Sequence, residues 1–245
     1  MKKTIIALAS VLFALSLSAK TLKLAVPSAQ LSGTPVPISI DNLDTYKGPQ
    51  KEIQVPDDVQ NIAKGKEVTS SDDFPMTGEF TLITDGNKDG AEGCYVEIMD
   101  GLQWVQIDLG KTSDIYAIAM WHFHSQERAY KDVIVQISDD KTFKNGVKTV
   151  FNNDHDGSAN VALATAQALE KEKEEKKKPG EKVEKFFDGL QPFAKGDQKA
   201  YIETNYGKLI DLSKAPVKGR YVRLYSNGST TSPSNHYIEV EVFGK

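Results

Sequence analysis

Cysteine is almost missing from this chain of 245 residues: Cys94 stands alone, so no intramolecular disulfide forms and stability must come from an apolar core. A basic excess is missing too. Lys and Arg number 30 against 34 Asp and Glu, a formal net charge of −4, which does not suit the phosphates of a nucleic acid. Beyond the leader no apolar run approaches the roughly 20 residues that cross a bilayer, so no membrane span is expected there. Catalytic signatures are equally scarce. There is no Gly-x-Ser-x-Gly elbow, no phosphate loop and no dinucleotide fingerprint, and no pair of carboxylates is singled out for acid–base work, so the chain reads as a non-enzyme. Cys94 reads as a half-buried small residue rather than a nucleophile.

The first residues carry a signal. Met1, Lys2 and Lys3 precede an apolar run over residues 5–17, closed by the small Ser18 and Ala19. This is the layout of a secretory signal peptide over residues 1–19, with an uncleaved anchor as the alternative. It places the protein outside the cytoplasm: secreted, periplasmic or on the cell surface. Residues 20–56 hold Pro27, Pro35, Pro37, Pro49 and Pro56 among short apolar pairs, a composition for extended chain and turns that leaves room for one edge strand.

From residue 57 to 245 the texture becomes that of a β-sandwich. Period-two alternation recurs in "QWVQIDLG" (103–110), "IYAIAMWHF" (115–123), "DVIVQIS" (132–138), "RYVRLYS" (220–226) and "YIEVEVFG" (237–244), bounded by turn residues. Val222 and Leu224 alternate with Arg223, and Val240 and Val242 with Glu241, which predicts one buried face per strand. The fold class is therefore all-β, an antiparallel sandwich. One insertion, at about 159–199, departs from this pattern. Its "ANVALATAQALEKEKEEKKK" favours helix, Pro179 and Gly180 end it, and its balanced charges predict a solvated excursion between strands.

Six motifs in order complete the picture: "NIAKGKEVTSS" (61–71), "ITDGNKDG" (83–90), "QWVQIDLGKTSDIYAIAMW" (103–121), "DVIVQISDD" (132–140), "GRYVRLY" (219–225) and "IEVEVFG" (238–244). In this order they resemble the discoidin, or F5/8 type C, domains, which overlap with galactose-binding-like carbohydrate modules. The resemblance covers residues 61–244 apart from the insertion and implies a jelly-roll sandwich that binds rather than catalyses.

Asp85, Asn87 and Asp89 alternate around Gly86, so oxygen-bearing side chains curl about a bend, as hard cations require. A plain Asx turn satisfies the same residues without metal. The resemblance implies a structural calcium held by the side chains of Asp85, Asn87 and Glu239 and by backbone oxygens of Leu82, Gly90 and Ile238. Gly90 departs from the family, where a threonine often adds its hydroxyl.

All four histidines lie in short polar clusters: His122 and His124 in "HFHSQER" (122–128), His155 in "NNDHDG" (152–157) and His236 in "SPSNHY" (232–237). Imidazoles, amides and a guanidinium on loops beside an aromatic ring read the hydroxyls and apolar face of a sugar. In sugar-binding relatives of the resembled family, His and Arg near strand ends do this work. The residues indicated are His124 and Arg128 first, then His122, Asn153, Asp154, His155, Asn235 and His236. Spacing alone leaves a second reading open, a zinc site from His122 and His124 completed by Asp154, His155 or Asp156, with hydrolytic chemistry attached. A protein-interaction or adhesion module is the third, with a protein partner in place of a glycan.

Overall fold

The computed structural model describes residues 18–34 and 36–245. The leader read at residues 1–19 lies, but for its last two positions, outside the described residues. The strands are β1 Ala19–Leu22, β2 Leu43–Asp44, β3 Ile53–Pro56, β4 Gln60–Asn61, β5 Val68–Ser70, β6 Val96–Asp100, β7 Leu102–His122, β8 Ile134–Ser138, β9 Lys148–Asn152, β10 Ala200–Tyr201, β11 Lys208–Asp211, β12 Val217–Asn227 and β13 Ser234–Gly244, with α1 at Ser158–Lys176.

Antiparallel pairing dominates, and the fold is the all-β antiparallel sandwich that the alternation predicts, with the jelly-roll form that the resemblance implies. β7 organises it. Its first part is flanked by β12 and β5 and its second by β13 and β11, so one strand runs through both layers. β8 and β9 extend the first layer beyond β12, while β4 and β6 extend the second beyond β13. The change of layer falls at residues 110–113, where Gly110 adopts φ +85° and the β12 register shifts opposite it. Between the layers lie Val105, Ile107, Val135, Ile137, Val222 and Leu224 from one side and Ile118, Met120, Val240 and Val242 from the other.

The expectation of one buried face per strand is overturned, because both outer faces are covered. On the first layer α1 and the chain after it bring Ala159, Leu163, Phe187, Leu190 and Phe193 against Trp104, Ile134, Tyr221 and Tyr225. Arg223 is accordingly 3% exposed, sandwiched between the Trp104 and Phe143 rings at 4.1 and 4.2 Å and donating to Gln106 Oε1. The insertion is thus not merely solvated: its helix has few apolar residues, but these few dock. On the second layer the N-terminal segment lays Ile53, Val55 and Val59 over Ala117, Ala119, Trp121 and Phe243. This segment adds no edge strand to the sandwich. β1 pairs with β3 and β2 pairs in parallel with β10, outside the main sheet. Among the described residues no helix is long and apolar enough to cross a membrane.

Candidate functional site

At the end of β7 the interior of the sandwich turns polar. His122 is fully buried, stacked on Tyr130 with ring centroids 4.5 Å apart, and its Nδ1–H donates to Glu203 Oε1 at 2.7 Å. Glu203 follows β10, so this bond ties the return of the insertion to the sandwich. Tyr130 OH and His236 Nδ1 share a 3.0 Å hydrogen bond, and Tyr237 packs against His122 at 4.8 Å. His236 faces Glu97 at 3.4 Å, yet burial first, then the Arg128 and His122 charges, hold it down to about 4. It is neutral at neutral pH, and its contact with Glu97 is no ion pair there. His122 Nε2, Glu203 Oε2 and the Tyr201 hydroxyl are buried without partners.

His124 and Arg128 lie just beyond β7, in the loop toward β8, and both are buried. His124 Nε2 donates to the Lys88 carbonyl at 3.0 Å. The Arg128 guanidinium stacks on Phe123 at 4.7 Å and donates to Gln126 Oε1 at 2.6 Å. The N-terminal segment straps this loop down: Ser32 N–H donates to Ser125 O at 2.7 Å, Lys47 pairs with Glu127, and Asn205 Nδ2 donates to Pro27 O at 2.8 Å. Between strap and loop a cleft of about 170 Å³ is left, walled by residues 29–31 and by Lys47, His124, Glu127, Glu203, Thr204 and Asn205.

Sequence reasoning missed Lys47, Glu127 and Glu203. The first comes from a segment more than 70 positions upstream, and only a carboxylate beside the apolar Tyr201 and Ile202 hinted at the last.

The Asp85 loop is a chain of Asx turns. Asp85 Oδ1 accepts Asn87 N–H, Asn87 Oδ1 accepts Asp89 N–H and Asp89 Oδ1 accepts Ala91 N–H. A bulge in β13 between Tyr237 and Glu239 aims Glu239 at this loop, where Oε2 accepts Gly86 N–H at 3.0 Å. Oε1 is buried and has no partner, and burial pushes the carboxyl up to about 8. An unpaired carboxylate oxygen beside Asp85 fits a hard cation. Two of the other positions are engaged elsewhere: the Asn87 amide donates to Cys94 Sγ, and the Gly90 carbonyl accepts Ser125 Oγ–H at 2.6 Å. A Cβ at position 90 would meet Ser125 Oγ at 2.3 Å, so the family's threonine has no room. Lys88, paired with Glu241 at 2.8 Å, lies over Trp121 beside the loop.

The remaining candidates disperse. Asn235 is buried as a pin, its Oδ1 taking Gly228 N–H and its Nδ2 donating to Met99 and Gly101 carbonyls. Asn153 Oδ1 accepts Val133 N–H at 2.7 Å, and half-buried His155 sits with Asp154 where β9 leads into α1. His122, His124 and Asp154 do not converge as a zinc triad. Among the described residues the group of three metal-capable side chains is Asp132, Asp154 and Asp156.

No curated protein sequence matches the chain. Solved structures of similar backbone include chitosan-binding module 1 of a chitosanase/glucanase from Paenibacillus sp. IK-5, at 16% identity over 76% of this chain and 99% of that one, TM-score 0.45. A fucose-binding module of Streptococcus pneumoniae aligns at 19% identity over 75% and 96%, TM-score 0.43. A serum fucolectin of striped bass, Morone saxatilis, aligns at 16% over 76% and 49%, TM-score 0.43. Residues 82–170, from the turn before Asp85 through β6, β7, β8, β9 and most of α1, match the F5/F8 type C family model described as NedA-like, galactose-binding domain.

Proposed function

We propose that the protein is an exported, non-catalytic module that holds a carbohydrate in the cleft between the N-terminal strap and the 122–128 loop. The observation that carries this is the convergence in one small cleft of a cation, a carboxylate, an amide and a hydroxyl, from Lys47, Glu127, Asn205 and Thr204, with Glu203 and His124 buried in its wall. Such a set both donates to and accepts from sugar hydroxyls, while Leu31, 73% exposed on the strap, offers an apolar surface to a ring face. The family-model match over the same loop supports the reading, as do glycan-binding structures of similar fold. Of the residues indicated by sequence, His124 lines the cleft, and Arg128 acts from behind it by holding the loop against Phe123.

Calcium is part of the same proposal. Asp85 and Glu239, with the carbonyls of Leu82 and Ile238, would hold the ion, whose charge would compensate the buried carboxylate and tie the loop to β13. The test is a glycan array probed with wild type, Lys47→Met and Glu127→Gln, both changes lying on the partly exposed rim. Binding to a glycan class that drops at least tenfold in both variants supports the site. Undiminished binding in both, or no glycan bound by wild type, refutes it.

A protein partner is favoured by a different feature. A groove of about 1040 Å³ between α1, the 72–74 loop and the tight turn joining β6 to β7 is lined by the exposed Phe74, Met99 and Leu169, an apolar strip of the kind that partners cover. A pull-down lost in Phe74→Ser but kept in Lys47→Met would assign binding to that groove.

A further inference from the structure

Three carboxylates meet where the insertion leaves the sandwich. Asp132 precedes β8, and Asp154 and Asp156 follow β9 immediately before α1. One oxygen from each lies within 4.8 Å of the other two, the separation that oxygens around one calcium ion keep when each is about 2.3–2.6 Å from the metal. Asp132 and Asp154 are 6% and 1% exposed, whereas Asp156 is exposed and leaves a way in from solvent. None of the three is ion-paired among the described residues, whose salt bridges lie elsewhere.

The hydrogen bonds present do not neutralise this charge. Asp132 Oδ2 accepts Asn227 Nδ2–H at 2.7 Å and Asp154 Oδ1 accepts Gly157 N–H at 2.8 Å. Ser158 Oγ lies 2.8 Å from Asp132 Oδ1 and 2.6 Å from Asp156 Oδ1, but a hydroxyl has one proton and serves one of them at a time. A separate observation points to a missing partner: Asp154 Oδ2, in a side chain almost wholly withdrawn from water, has no hydrogen-bond donor at all. A buried carboxylate oxygen left in that state is costly unless a proton or a cation meets it.

We propose that Asp132, Asp154 and Asp156, with the Ser158 hydroxyl, form a second site for a divalent cation of calcium type, distinct from the Asp85 loop, which pins the start of α1 to β8 and β9. Oxygen donors alone select a hard cation over zinc or copper. The site anchors the outer layer, since α1 carries few apolar residues and has no side-chain N-cap of its own. It does not depend on the glycan reading.

The test uses the full chain stripped with EDTA and titrated with calcium chloride by calorimetry and thermal unfolding. Asp156→Asn keeps an exposed side chain of the same shape, and Glu239→Gln removes the carboxylate of the other loop. Calcium binding that persists in Glu239→Gln but weakens at least tenfold in Asp156→Asn is the expected result. Asp154→Asn, which turns an amide N–H toward the facing carboxylates, is expected to raise the melting temperature of the metal-free protein and abolish the calcium-induced rise. Equal calcium response in wild type, Asp156→Asn and Asp154→Asn overturns the proposal. So does a Glu239→Gln protein that takes up no calcium, which would leave a proton as the bridging charge.

Discussion

Replacing Glu203 by leucine strips His122 of the partner for its Nδ1–H in a place where water cannot substitute. Both side chains are fully excluded from solvent and their bond is 2.7 Å long. Removing one member of a buried, hydrogen-bonded pair costs about 3–5 kcal/mol, because the survivor keeps its desolvation penalty and loses its compensation. His122→Phe should cost a similar amount, since the Glu203 carboxylate would then lose its side-chain partner, and among the described residues its Oε2 has none already. The double variant removes both polar groups and leaves apolar side chains against Tyr130 and Tyr237. Its loss should fall short of the sum of the singles by about 2 kcal/mol, within the range of couplings between contacting residues.

Urea unfolding followed by tryptophan fluorescence is the assay. The chain has two tryptophans, Trp104 under the insertion and Trp121 under the N-terminal segment, so each outer layer contributes a reporter. A loss of about 3 kcal/mol moves the midpoint by roughly 1–1.5 M for a slope of about 2–3 kcal/mol per molar. Strict additivity of the two singles would refute the idea that His122 and Glu203 satisfy each other.

Four further expectations follow. His236 sits at about 4 in the folded chain, below its unfolded value, so the unfolded chain takes the proton first and stability is lost as pH falls from about 6.5 to 4, by up to roughly 3 kcal/mol; melting of His236→Gln against pH should lack this acid limb. Metal-free Glu239, held at about 8, works in the opposite sense, with stability present below about 4.5 and lost as pH rises through 8, so Glu239→Gln should flatten the alkaline limb in the presence of EDTA. Gly90→Ala should cost about 1–3 kcal/mol by thermal unfolding, through the 2.3 Å approach to Ser125 Oγ, and Ser125→Gly should recover part of it. Leu163→Ala should cost about 2–4 kcal/mol and speed proteolysis within α1, because Leu163 is one of the few side chains that dock the helix; unchanged cleavage would mean that the helix is held by other means.

The strands were legible because Val222, Leu224, Val240 and Val242 alternate with polar neighbours, and alternation is all that a sheet demands of a sequence. Arg223 was misleading for the same reason. Its polarity reads as solvent exposure, but a guanidinium between two aromatic rings is buried without breaking the alternation. The insertion was legible as helix and opaque as a layer, since Ala159, Leu163 and Phe187 are sparse among charges and their docking depends on a surface supplied from elsewhere. For the site, the histidines pointed to one end of the sandwich through His122, His124 and His236, while their partners Lys47, Glu203 and Tyr130 were hidden by sequence distance. Asp132, Asp154 and Asp156 show the same limit: a turn-rich stretch explains each aspartate singly, and only the pairing of β8 with β9 assembles them.

β7 carries a kinetic consequence. At about 3.3 Å per residue its 21 residues trace a path of roughly 70 Å through both layers, so neither sheet has a complete set of strands until this one is in place. Its partners reach from Val68 to Gly244, with the whole insertion in the intervening chain. Most of its contacts therefore wait on the closure of very long loops, which marks the domain as a slow folder. The same arrangement makes the two layers lose their order together, and a chain pulled or heated should give way in one step rather than sheet by sheet.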